Sequence, residues 1–598
     1  MDDKSRIGAG GDGAGRRADA LTLTAMVVAA SMTFIDQTIV AIAAPTIVHE
    51  LGLTASGMQW AVNAYLLTLA AFFALGGRLA HVFGHRLMVI AGTLVFVVSS
   101  ILCAVVPAGG DVAQGWLIAF RATQGVGAAL LFPAALAVVT ETFPAERRGR
   151  ALALFFGWSA VLTVLGPLLG GWLTAWTWRA IFWINVPVAA VALVLMAKAR
   201  VPHVARREPV DVPGAVLVAV GMALTVLGFQ QAANWGWSAA LTWLCVGLGL
   251  LVLALFCRYE LYGLSDLGKL RAPGERHGPG EAEPPGASGR PRLSKLSERG
   301  PGDHPLVPLR LFKDRAFAVD AAVLFFAMPA FVPVFFFGSV YAQVSLASSP
   351  QQAGLYLLYF FVGFVITYQW GSRFLDVRGA KPAILLGTAL GTLGFALWAS
   401  KLTDHSMHDQ WPYVALAGAG IGFLLVPAST DAANRAAGAS YEEVTALTQT
   451  VRTFSAALGL AVFGTILTHV TTDRMASTLG SAGVPSLLAH SVGHDIAERF
   501  TGNGGHLVPT GTGPVDRITR DAIGVFRLDF AEANRAVFYG MAISLAVAFV
   551  CALFHPGHSR HPDRPGRPGR PGRPGRLRKK PTADDTGTDS APGRNTAP

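Results

Sequence analysis

Two charged residues stand inside long apolar runs, where their chemistry is unusual. Asp36 is the one ionisable side chain between residues 21 and 44, and Arg121 lies in an apolar run that continues to Thr140. A charge in the hydrocarbon region of a membrane costs roughly 3 to more than 10 kcal/mol, so a partner or a watery cavity must compensate it. A poorly solvated carboxylate can bind and release a proton. Both residues therefore indicate a transport pathway, and the alternative for each is a structural hydrogen bond to a neighbouring helix.

The composition of the chain is that of a membrane protein. Of its 598 residues, 52% are hydrophobic and 14% are charged, and the mean hydropathy is +0.45. Soluble domains carry about 25% charged residues. The net charge of +11 is explained by lysine and arginine in loops, so no nucleic-acid partner is expected. The four cysteines have no ligand spacing, so we expect neither disulfides nor a metal site.

Apolar runs of about 20 residues can cross the hydrocarbon core as helices. About fourteen occur in this chain, which predicts an all-α polytopic membrane protein with both termini on one side. The runs lie near 21–44, 58–78, 87–107, 114–139, 150–173, 180–198, 212–232, 239–257, 316–340, 352–372, 383–400, 411–430, 447–469 and 536–555.

The distribution of lysine and arginine predicts the orientation. The loops on one face collect these residues, whereas neither occurs in the loops at 45–57, 108–113, 233–238 and 341–351. Basic loops stay in the cytoplasm, so both termini are predicted to be cytoplasmic. The polar N-terminal segment lacks the features of a cleaved signal peptide, so we expect the first apolar run to remain as an anchor.

An internal repeat divides the chain into halves. RLAHVFGHRLMVIAG (78–92) aligns with RFLDVRGAKPAILLG (373–387), and both join the second run of a group to the third. Two related six-helix halves with a site between them are typical of transporters. The predicted organisation is a cytoplasmic N-terminal segment (1–20), an N-terminal six-helix bundle (21–198), two inserted spans (199–257), a flexible cytoplasmic linker (258–315), a C-terminal six-helix bundle (316–555) with a long extracytoplasmic loop (471–535), and a basic disordered cytoplasmic tail (556–598).

Six segments in order resemble the motifs of one family. They are DQTIVAIAAP (36–45), GGRLAHVFGHR (76–86), LIAFRATQGVGAA (117–129), LGPLLGGWL (165–173), WTWRAIFWINVP (176–187) and PLRLFKDRAFA (308–318). Over nearly all of 21–555 the chain resembles the major facilitator superfamily, in its fourteen-span drug:proton antiporter branch (EmrB/QacA type). The resemblance implies two six-helix halves plus two extra spans. It also implies export of hydrophobic or cationic drugs or antibiotics in exchange for protons, by alternating access, across the bacterial plasma membrane.

The resemblance also implies roles for single residues. Asp36 would carry the coupled proton, with Arg121 as its cation and Gln124 one helical turn later on the same face. His81 and His85 depart from the family pattern, which has an aspartate and an arginine there. Small residues would let helices approach closely, and Pro167 would kink its helix. The residues assigned to gating and helix packing are Gly77, His81, Gly84, Arg86, Gly125, Gly166, Pro167, Gly170, Gly171, Arg373, Asp376 and Gly379.

Aromatic and methionine side chains suit bulky, planar or cationic drugs. The candidate substrate contacts are Asn63, Tyr65, Gln124, Trp158, Met328, Phe331 and Phe335. Pro329 and Pro333 should bend the ninth span. Asp320 and Arg452, near the ends of their spans, are structural candidates that would pair with each other or with lipid headgroups.

Three alternatives remain for the function. One is a dedicated exporter of a single endogenous antibiotic or metabolite, another is a non-transporting membrane receptor, and the third is a membrane enzyme. An enzyme is not expected, because the chain has no nucleotide-binding loop and supplies no second titratable motif beside Asp36. The expected partners are a drug-like small molecule, protons and the lipid bilayer, with no metal and no cofactor. We expect a monomer, whose Arg-Pro-Gly tail attracts anionic lipids or is simply solvated.

Overall fold

The computed structural model describes residues 4–107, 109–199, 201, 211–269, 308–435, 441–481, 483–502 and 523–557. Every regular element in these ranges is helical. The α-helices are α1 (Lys4–Leu51), α2 (Ala55–Phe83), α3 (His85–Ala104), α4 (Gly110–Thr142), α5 (Ala145–Trp176), α6 (Ala180–Trp183), α7 (Asn185–Lys198), α8 (Val212–Trp235), α9 (Ala240–Lys269), α10 (Arg315–Phe331), α11 (Pro333–Val344), α12 (Pro350–Arg378), α13 (Ala380–Lys401), α14 (Met407–Arg435), α15 (Tyr441–Ser481), α16 (Ser486–Gly502) and α17 (Ile523–Leu553).

Fourteen segments of the described residues are long and apolar enough to cross a membrane, which confirms the predicted number. Helices α6 and α7 together make one such segment, and so do α10 and α11. Helix α16 is not one of them. A spanning helix satisfies all its backbone hydrogen bonds internally, which explains why each apolar run folds as a helix.

Side-chain caps fix where several spans begin. The hydroxyl of Thr54 accepts a hydrogen bond from the backbone N–H of Gly57 at 2.8 Å at the start of α2. A capping box between Ser349 and Gln352 starts α12. Asp314 accepts the N–H of Ala316 at 2.8 Å at the start of α10. Such caps satisfy backbone donors that the first turn of a helix leaves free.

The predicted repeat is visible in the backbone. Gly84 ends α2 with φ 94°, and Gly379 ends α12 with φ 87°. The next helix begins at the following residue in both cases, at His85 and at Ala380. Residues with a side chain rarely adopt such positive φ values, so glycine makes both sharp turns possible. The two halves therefore share the same turn between their second and third spans.

Prolines shape the ninth span as predicted. Helix α10 ends at Phe331 and α11 begins at Pro333, because proline has no N–H to continue the hydrogen-bond ladder. Pro329 lies inside α10. Pro167, expected to kink its span, lies inside α5, which is continuous from Ala145 to Trp176.

Several helices are longer than the apolar runs that predict them, because they continue into polar sequence. Helix α1 begins at Lys4 instead of residue 21, and α9 extends to Lys269, into the predicted linker. The predicted loop 471–535 contains the end of α15, all of α16 and the start of α17. Extending a formed helix is far less costly than nucleating one, so apolarity alone misplaces its ends. Residues 270–307 of the predicted linker, 503–522 of the loop and 558–598 of the tail lie outside the described residues.

The spans pack as two halves with an inserted pair. In the N-terminal half α4 packs on α2 and α3, and α1 packs on α5; in the C-terminal half α14 packs on α12 and α13. The inserted helices α8 and α9 pack on each other, and Tyr259 of α9 donates a hydrogen bond to Asp211 at 2.8 Å. Helix α8 also contacts α2 and α15, and therefore touches both halves.

Two helix pairs join the halves, α2 with α15 and α5 with α12. The backbones of α5 and α12 approach so closely that a Cβ atom at Gly171 would lie 2.6 Å from the carbonyl oxygen of Pro350. Gly354 faces the carbonyl oxygen of Pro167 in the same way, at 2.5 Å. Gln343 of α11 donates a hydrogen bond to the backbone oxygen of Ile42 in α1 at 2.9 Å.

The helices alternate in direction, so their ends form two faces. The basic face carries Arg78, Arg147, Arg258, Arg373 and Arg435, each near an end of a candidate membrane-spanning segment. The opposite face carries the loops at 52–54, 177–179, 236–239 and 345–349, together with α16. The contacts of Gly171 and Gln343 both lie toward the opposite face, where the two halves meet.

Candidate functional site

Asp36 and Arg121 form an ion pair inside the N-terminal half. Nη1 of Arg121 lies 2.5 Å from Oδ2 of Asp36, and each residue is only 1% exposed. The pair joins α1 to α4, across 85 positions of sequence. Each charge is compensated by the other, which is what allows both to stay in an apolar interior. The two residues singled out in the sequence therefore meet directly.

Gln124 forms hydrogen bonds with both residues of the ion pair. Its Oε1 accepts a hydrogen bond from Nη1 of Arg121 at 2.8 Å, and its Nε2 donates to Oδ1 of Asp36 at 3.0 Å. Gln124 lies one turn after Arg121 on α4, as its spacing predicts, and is fully buried. Both carboxylate oxygens of Asp36 therefore have a donor, and Arg121 has an acceptor that does not depend on the charge of Asp36.

Tyr65 of α2 covers Arg121. The guanidinium carbon lies 4.4 Å from the centroid of the Tyr65 ring, within the range of cation–π attraction. The Tyr65 hydroxyl donates to the backbone oxygen of Thr33 at 3.2 Å, and Nε of Arg121 donates to that of Ala61 at 3.4 Å. Tyr65, predicted as a substrate contact, belongs in this structure to the surroundings of the ion pair.

The close approach of α2 and α4 brings Tyr65 to Arg121. A Cβ atom at Gly125 would overlap the hydroxyl of Thr68 and the backbone oxygen of Tyr65. The Thr68 hydroxyl in turn donates to the backbone oxygen of Ala122 at 2.8 Å. Any side chain at position 125 would push the two helices apart, so this glycine of the motif is required by packing.

The glycines of α5 hold α1 beside the ion pair. A Cβ atom at Gly166 would overlap the hydroxyl of Thr38, which donates to the backbone oxygen of Thr163 at 3.3 Å. One helical turn later, a Cβ atom at Gly170 would lie 3.0 Å from the backbone oxygen of Ile39. Thr38 and Ile39 follow Asp36 closely in α1. The segment 165–173, here called the Gly-Pro motif, therefore packs against the part of α1 that carries the carboxylate.

The segment 76–86 at the turn between α2 and α3, here called the first loop motif, places its two histidines together. The rings of His81 and His85 lie 5.1 Å apart, and Nε2 of His85 lies 3.0 Å from Oε1 of Glu141 at the end of α4. Gly77 faces Pro133, whose Cβ would be 3.6 Å from an added Cβ. His85, where the resemblance implies an arginine, therefore joins the start of α3 to an acidic residue of α4.

The other residues of this motif, and those of the second loop motif that begins the repeat at 373, lie at the basic face. Arg86 donates to the backbone oxygen of Met196 at 3.5 Å, which ties α3 to α7. In the second copy Arg373 and Asp376 are exposed, and Gly379 makes the turn described above. The gating role assigned to these residues remains a prediction.

Two of the predicted substrate contacts have different surroundings. Asn63 is fully buried, and its Nδ2 donates to Oε1 of Gln230 in α8 at 2.7 Å. Trp158 of α5 is 53% exposed. A contact of either residue with substrate remains a prediction.

The aromatic residues predicted in the ninth span pack against α12. Met328, Phe331 and Phe335 are all buried. Phe331 stacks on Phe364 with 5.3 Å between ring centroids, and Phe335 stacks on Phe361 at 5.0 Å. In this arrangement the rings bury one another inside the C-terminal half. Contact with a substrate would require their separation, and it remains a prediction.

Two polar partners were missed by the sequence analysis. Gln230 joins the inserted span α8 to Asn63. The sequence feature that could have identified it is an amide side chain within the apolar run 212–232. Glu141 meets His85, but an acidic residue at the end of a span carries no distinctive signal. Both contacts depend on which helices become neighbours.

One group of side chains has the composition of a metal site. Ligand atoms of Asp320, Asp431 and His555 lie within 4.8 Å of one another at the basic face. Nε of Arg435, however, already lies 2.5 Å from Oδ2 of Asp431. Burial alone would lower the pKa of His555, but hydrogen bonds and the charges of Asp320 and Asp431 raise it to about 9. A histidine ligates a metal only in its neutral form, so a cation at this group would have to displace the proton of His555.

The family profile of the Major Facilitator Superfamily matches residues 26–460. This range includes the ion pair, both loop motifs and the Gly-Pro motif, and it covers well over half of the chain.

Curated relatives match most of the chain. The cephamycin export protein CmcT of Amycolatopsis lactamdurans is 30% identical over 487 residues, which are 79% of this chain and 88% of the relative. The tetracenomycin C resistance and export protein of Streptomyces glaucescens is 29% identical over 474 residues, 78% of this chain and 79% of the relative. The multidrug transporter protein MdtP of Bacillus subtilis (strain 168) is 25% identical over 551 residues, 89% of this chain and 92% of the relative.

Solved structures show the same fold. A bacterial homologue of the human lysosomal transporter Spinster aligns with a TM-score of 0.52 and 16% identity, covering 90% of this chain and 98% of the other. A peptide transporter of the POT family aligns with a TM-score of 0.52 and 13% identity, covering 83% and 99%. At such identities the likeness concerns the fold alone. The profile match and the CmcT alignment nevertheless show that this chain belongs to the major facilitator superfamily.

Proposed function

We propose that this protein is a secondary active transporter that exports hydrophobic or cationic drug-like molecules, antibiotics among them, in exchange for protons. The observation that carries the proposal is the buried group of Asp36, Arg121 and Gln124. Its carboxylate is the single acidic group of the apolar part of α1. A buried ion pair is weak evidence for stability, which favours a functional reason for its presence.

The geometry suggests how a proton would act. When Asp36 is ionised, it is held by Arg121 and Gln124. Protonation removes the charge that attracts Arg121, while the carbonyl oxygen of Gln124 remains as an acceptor for the guanidinium. Breaking a buried pair costs about 3–5 kcal/mol. A proton that moves down a potential of about 100 mV releases about 2.3 kcal/mol, which is of the same order.

Helix α1 would transmit this change to the contact between the halves. It carries Asp36, packs on α5 through Thr38 and accepts a hydrogen bond from Gln343 of the C-terminal half at Ile42. A change in the contacts of Asp36 therefore acts on a helix that touches both halves. Alternating access requires such a connection between the proton site and the halves that rock against each other.

The proposed orientation follows from the basic face. Its arginine and lysine residues favour the cytoplasm, so both termini are cytoplasmic and α16 is extracytoplasmic. The protein would then be a multi-pass protein of the bacterial plasma membrane that uses the proton gradient as its energy source and no bound cofactor. The working unit is a single chain, with lipids around it and at its basic tail.

A dedicated exporter of one antibiotic or metabolite is the second candidate. It is supported by two of the relatives, which are named for the export of cephamycin and of tetracenomycin C. MdtP, named as a multidrug transporter, supports a broader range. A panel of structurally unrelated compounds separates the two, because a dedicated exporter transports one chemical class only. A non-transporting receptor would transport none of them.

The proposal is tested with purified protein in liposomes of known internal pH. The solution at the expected extracytoplasmic face is made more acidic than the solution at the other face. Protons that flow down this gradient should drive a fluorescent lipophilic compound in the opposite direction. Collapse of the gradient with a protonophore should stop it. Transport that continues at the same rate after collapse would contradict proton exchange.

A further inference from the structure

An arginine of α15 lies within a candidate membrane span and has no acidic partner. Arg452 belongs to the apolar segment Glu443–Ser481. Tyr441, where α15 begins at the basic face, is about 16 Å away along the helix at 1.5 Å per residue. Among the described residues, no aspartate or glutamate forms an ion pair with the Arg452 guanidinium. Its positive charge therefore lies well inside the protein without a counter-charge.

The contacts of Arg121 show how this chain compensates a cation elsewhere. There the carboxylate of Asp36 supplies the opposite charge. Arg452 has instead the amide oxygen of Gln449, one helical turn earlier, at 2.6 Å from its Nη1. An amide oxygen accepts a hydrogen bond but carries no charge, so it cannot neutralise the guanidinium. An uncompensated intramembrane cation is costly, which favours a role in binding.

Arg452 and its neighbour Tyr368 present hydrogen-bond donors that the described chain does not use. Tyr368 of α12 is the titratable group that interacts electrostatically with Arg452. Neither Nη2 of Arg452 nor the hydroxyl of Tyr368 forms a hydrogen bond with a described residue, and both side chains are partly exposed. A guanidinium and a hydroxyl together suit a carboxylate, whose two oxygens accept several hydrogen bonds.

The two side chains lie at similar depths below the basic face. Helix α12 ends there at Arg378, and Tyr368 lies about 15 Å before that end along the helix. This distance is close to the one that separates Arg452 from the start of α15. One small anionic group can therefore contact both side chains.

Aromatic rings adjoin these donors. The ring centroid of Phe364, one turn before Tyr368 on α12, lies 5.6 Å from that of Tyr368. Phe454 follows Arg452 closely on α15, and its ring centroid lies 6.5 Å from that of Phe325 in α10. Such rings offer large apolar surfaces that attract other aromatic groups. The surroundings of Arg452 therefore fit an aromatic molecule with one negative charge.

The acidic groups of the neighbouring helices have other partners. Asp320 of α10 lies 3.4 Å from His555, and Asp431 of α14 lies 2.5 Å from Arg435. Neither aspartate forms an ion pair with Arg452. A cationic molecule would meet a like charge at Arg452 without a counter-charge beside it, and like charges repel strongly at low dielectric constant.

We propose that Arg452 determines the charge selectivity of export, because together with Tyr368 it binds the carboxylate, or another single negative charge, of an aromatic molecule. The inference rests on the proposed function and narrows its substrate class from hydrophobic or cationic to hydrophobic with an anionic group. The phosphate of an anionic lipid offers the same chemistry, and the lipid composition of the assay separates the two sources.

Three pyrene compounds of different charge test this selectivity. Pyrenebutyrate is anionic, pyrenebutanol is neutral and pyrenebutyl-trimethylammonium is cationic. Saturable binding of each is measured with the full-length protein in phosphatidylcholine nanodiscs, and binding to empty nanodiscs is subtracted. The variants are Arg452→Gln, Tyr368→Phe and the control Arg535→Gln, which removes the same charge from an exposed arginine of α17.

The expected pattern follows the charge of the compound. The wild type should bind pyrenebutyrate at least about tenfold more tightly than the cationic compound, equivalent to about 1.4 kcal/mol. Arg452→Gln should weaken pyrenebutyrate binding by at least about tenfold and leave pyrenebutanol binding unchanged. Tyr368→Phe should weaken pyrenebutyrate binding by roughly three- to tenfold, the loss of one hydrogen bond. Arg535→Gln should bind all three compounds as the wild type does.

Thermal stability separates a binding role from a structural one. A buried charge without a partner is itself a cost to the fold, so Arg452→Gln without ligand should melt no lower than the wild type. Pyrenebutyrate should raise the Tm of the wild type more than that of Arg452→Gln, because a ligand stabilises the state that binds it. A Tm of ligand-free Arg452→Gln that is several degrees lower would assign Arg452 a structural role.

Three binding results would overturn the proposal. The first is no saturable binding of pyrenebutyrate to the wild type, and the second is equal binding by Arg452→Gln. The third is a difference between these two proteins that disappears when phosphatidylglycerol replaces phosphatidylcholine, which would assign Arg452 to a lipid headgroup.

The binding assay needs no proton gradient, so it separates this inference from the proposed function. Binding that depends on Arg452, without gradient-driven transport of any of the three compounds, would refute the proposed function alone. Gradient-driven transport with pyrenebutyrate binding that does not depend on Arg452 would refute the selectivity alone.

Discussion

The Arg121 guanidinium contacts the Asp36 carboxylate at 2.5 Å and the Gln124 carbonyl oxygen at 2.8 Å through the same nitrogen. This nitrogen carries two N–H groups, so it donates both to an acceptor whose charge depends on protonation and to one whose charge does not. This arrangement lets Asp36 lose its charge without leaving Arg121 bare in the interior. It is the feature on which our account of proton coupling depends.

Asp36 and Arg121 should be strongly coupled in stability. Arg121→Gln leaves Asp36 buried and uncompensated, which should cost about 3–5 kcal/mol. The double variant Asp36→Asn/Arg121→Gln should cost less than the sum of the single variants by about 1–3 kcal/mol. Thermal or denaturant unfolding of the four proteins in one detergent measures this coupling. Additive costs would show that the two side chains do not depend on each other.

The Gly-Pro motif offers a test with a control in the same helix. A Cβ atom at Gly166 would overlap the hydroxyl of Thr38, whereas at Gly157 it would meet nothing within 4 Å. Gly166→Ala should therefore displace α1 from α5 and reduce gradient-driven efflux by at least about tenfold, a barrier change of about 1.4 kcal/mol. Gly157→Ala should leave efflux unchanged. Equal effects of the two variants would show that helix propensity, and not the contact with α1, is responsible.

The titration of His555 should make the stability of the protein depend on pH. Its pKa of about 9 lies above the ordinary value of 6.5, because the attraction of Asp320 and Asp431 outweighs the effect of burial. A histidine with a raised pKa stabilises the fold fully below pH 6.5, and this contribution is lost as the pH rises through 9. The Tm of the wild type should therefore fall by a few degrees over this window. His555→Gln should flatten that part of the curve.

The exposed residue His469 provides the control for this measurement. His469→Gln should retain the pH dependence of the wild type, because the side chain is 62% exposed. The Tm of His555→Gln and that of the wild type could instead fall by the same amount between pH 6.5 and 9. Another group would then cause the pH dependence, and the contacts of His555 would not stabilise its protonated form.

Much of this arrangement could be predicted from sequence because it depends on local patterns. Apolar runs predict the fourteen spans, and the repeat around Gly84 and Gly379 predicts the two halves. The spacing of Arg121 and Gln124 predicts that both lie on one face of α4, where the structure joins them to Asp36.

The predictions that were wrong concern contacts that depend on which helices become neighbours. Asp320 was expected to pair with Arg452 or with headgroups, but it lies 3.4 Å from His555, while Arg452 donates to Gln449 at 2.6 Å. Helix α16 was hidden in a stretch that looked like a loop, because its polar outer side masks a short apolar stripe. Neither feature has a signature that a single sequence displays.

Whether Asp36 carries the coupled proton can be decided by transport measurements on three proteins. Gradient-driven efflux of a fluorescent lipophilic compound is measured for the wild type, Asp36→Asn and Asp409→Asn, an exposed aspartate of α14 as control. We predict that Asp36→Asn binds substrate but loses at least about tenfold in gradient-driven efflux, while Asp409→Asn transports normally. Full efflux by Asp36→Asn under the same proton gradient would contradict the account and assign coupling to another residue.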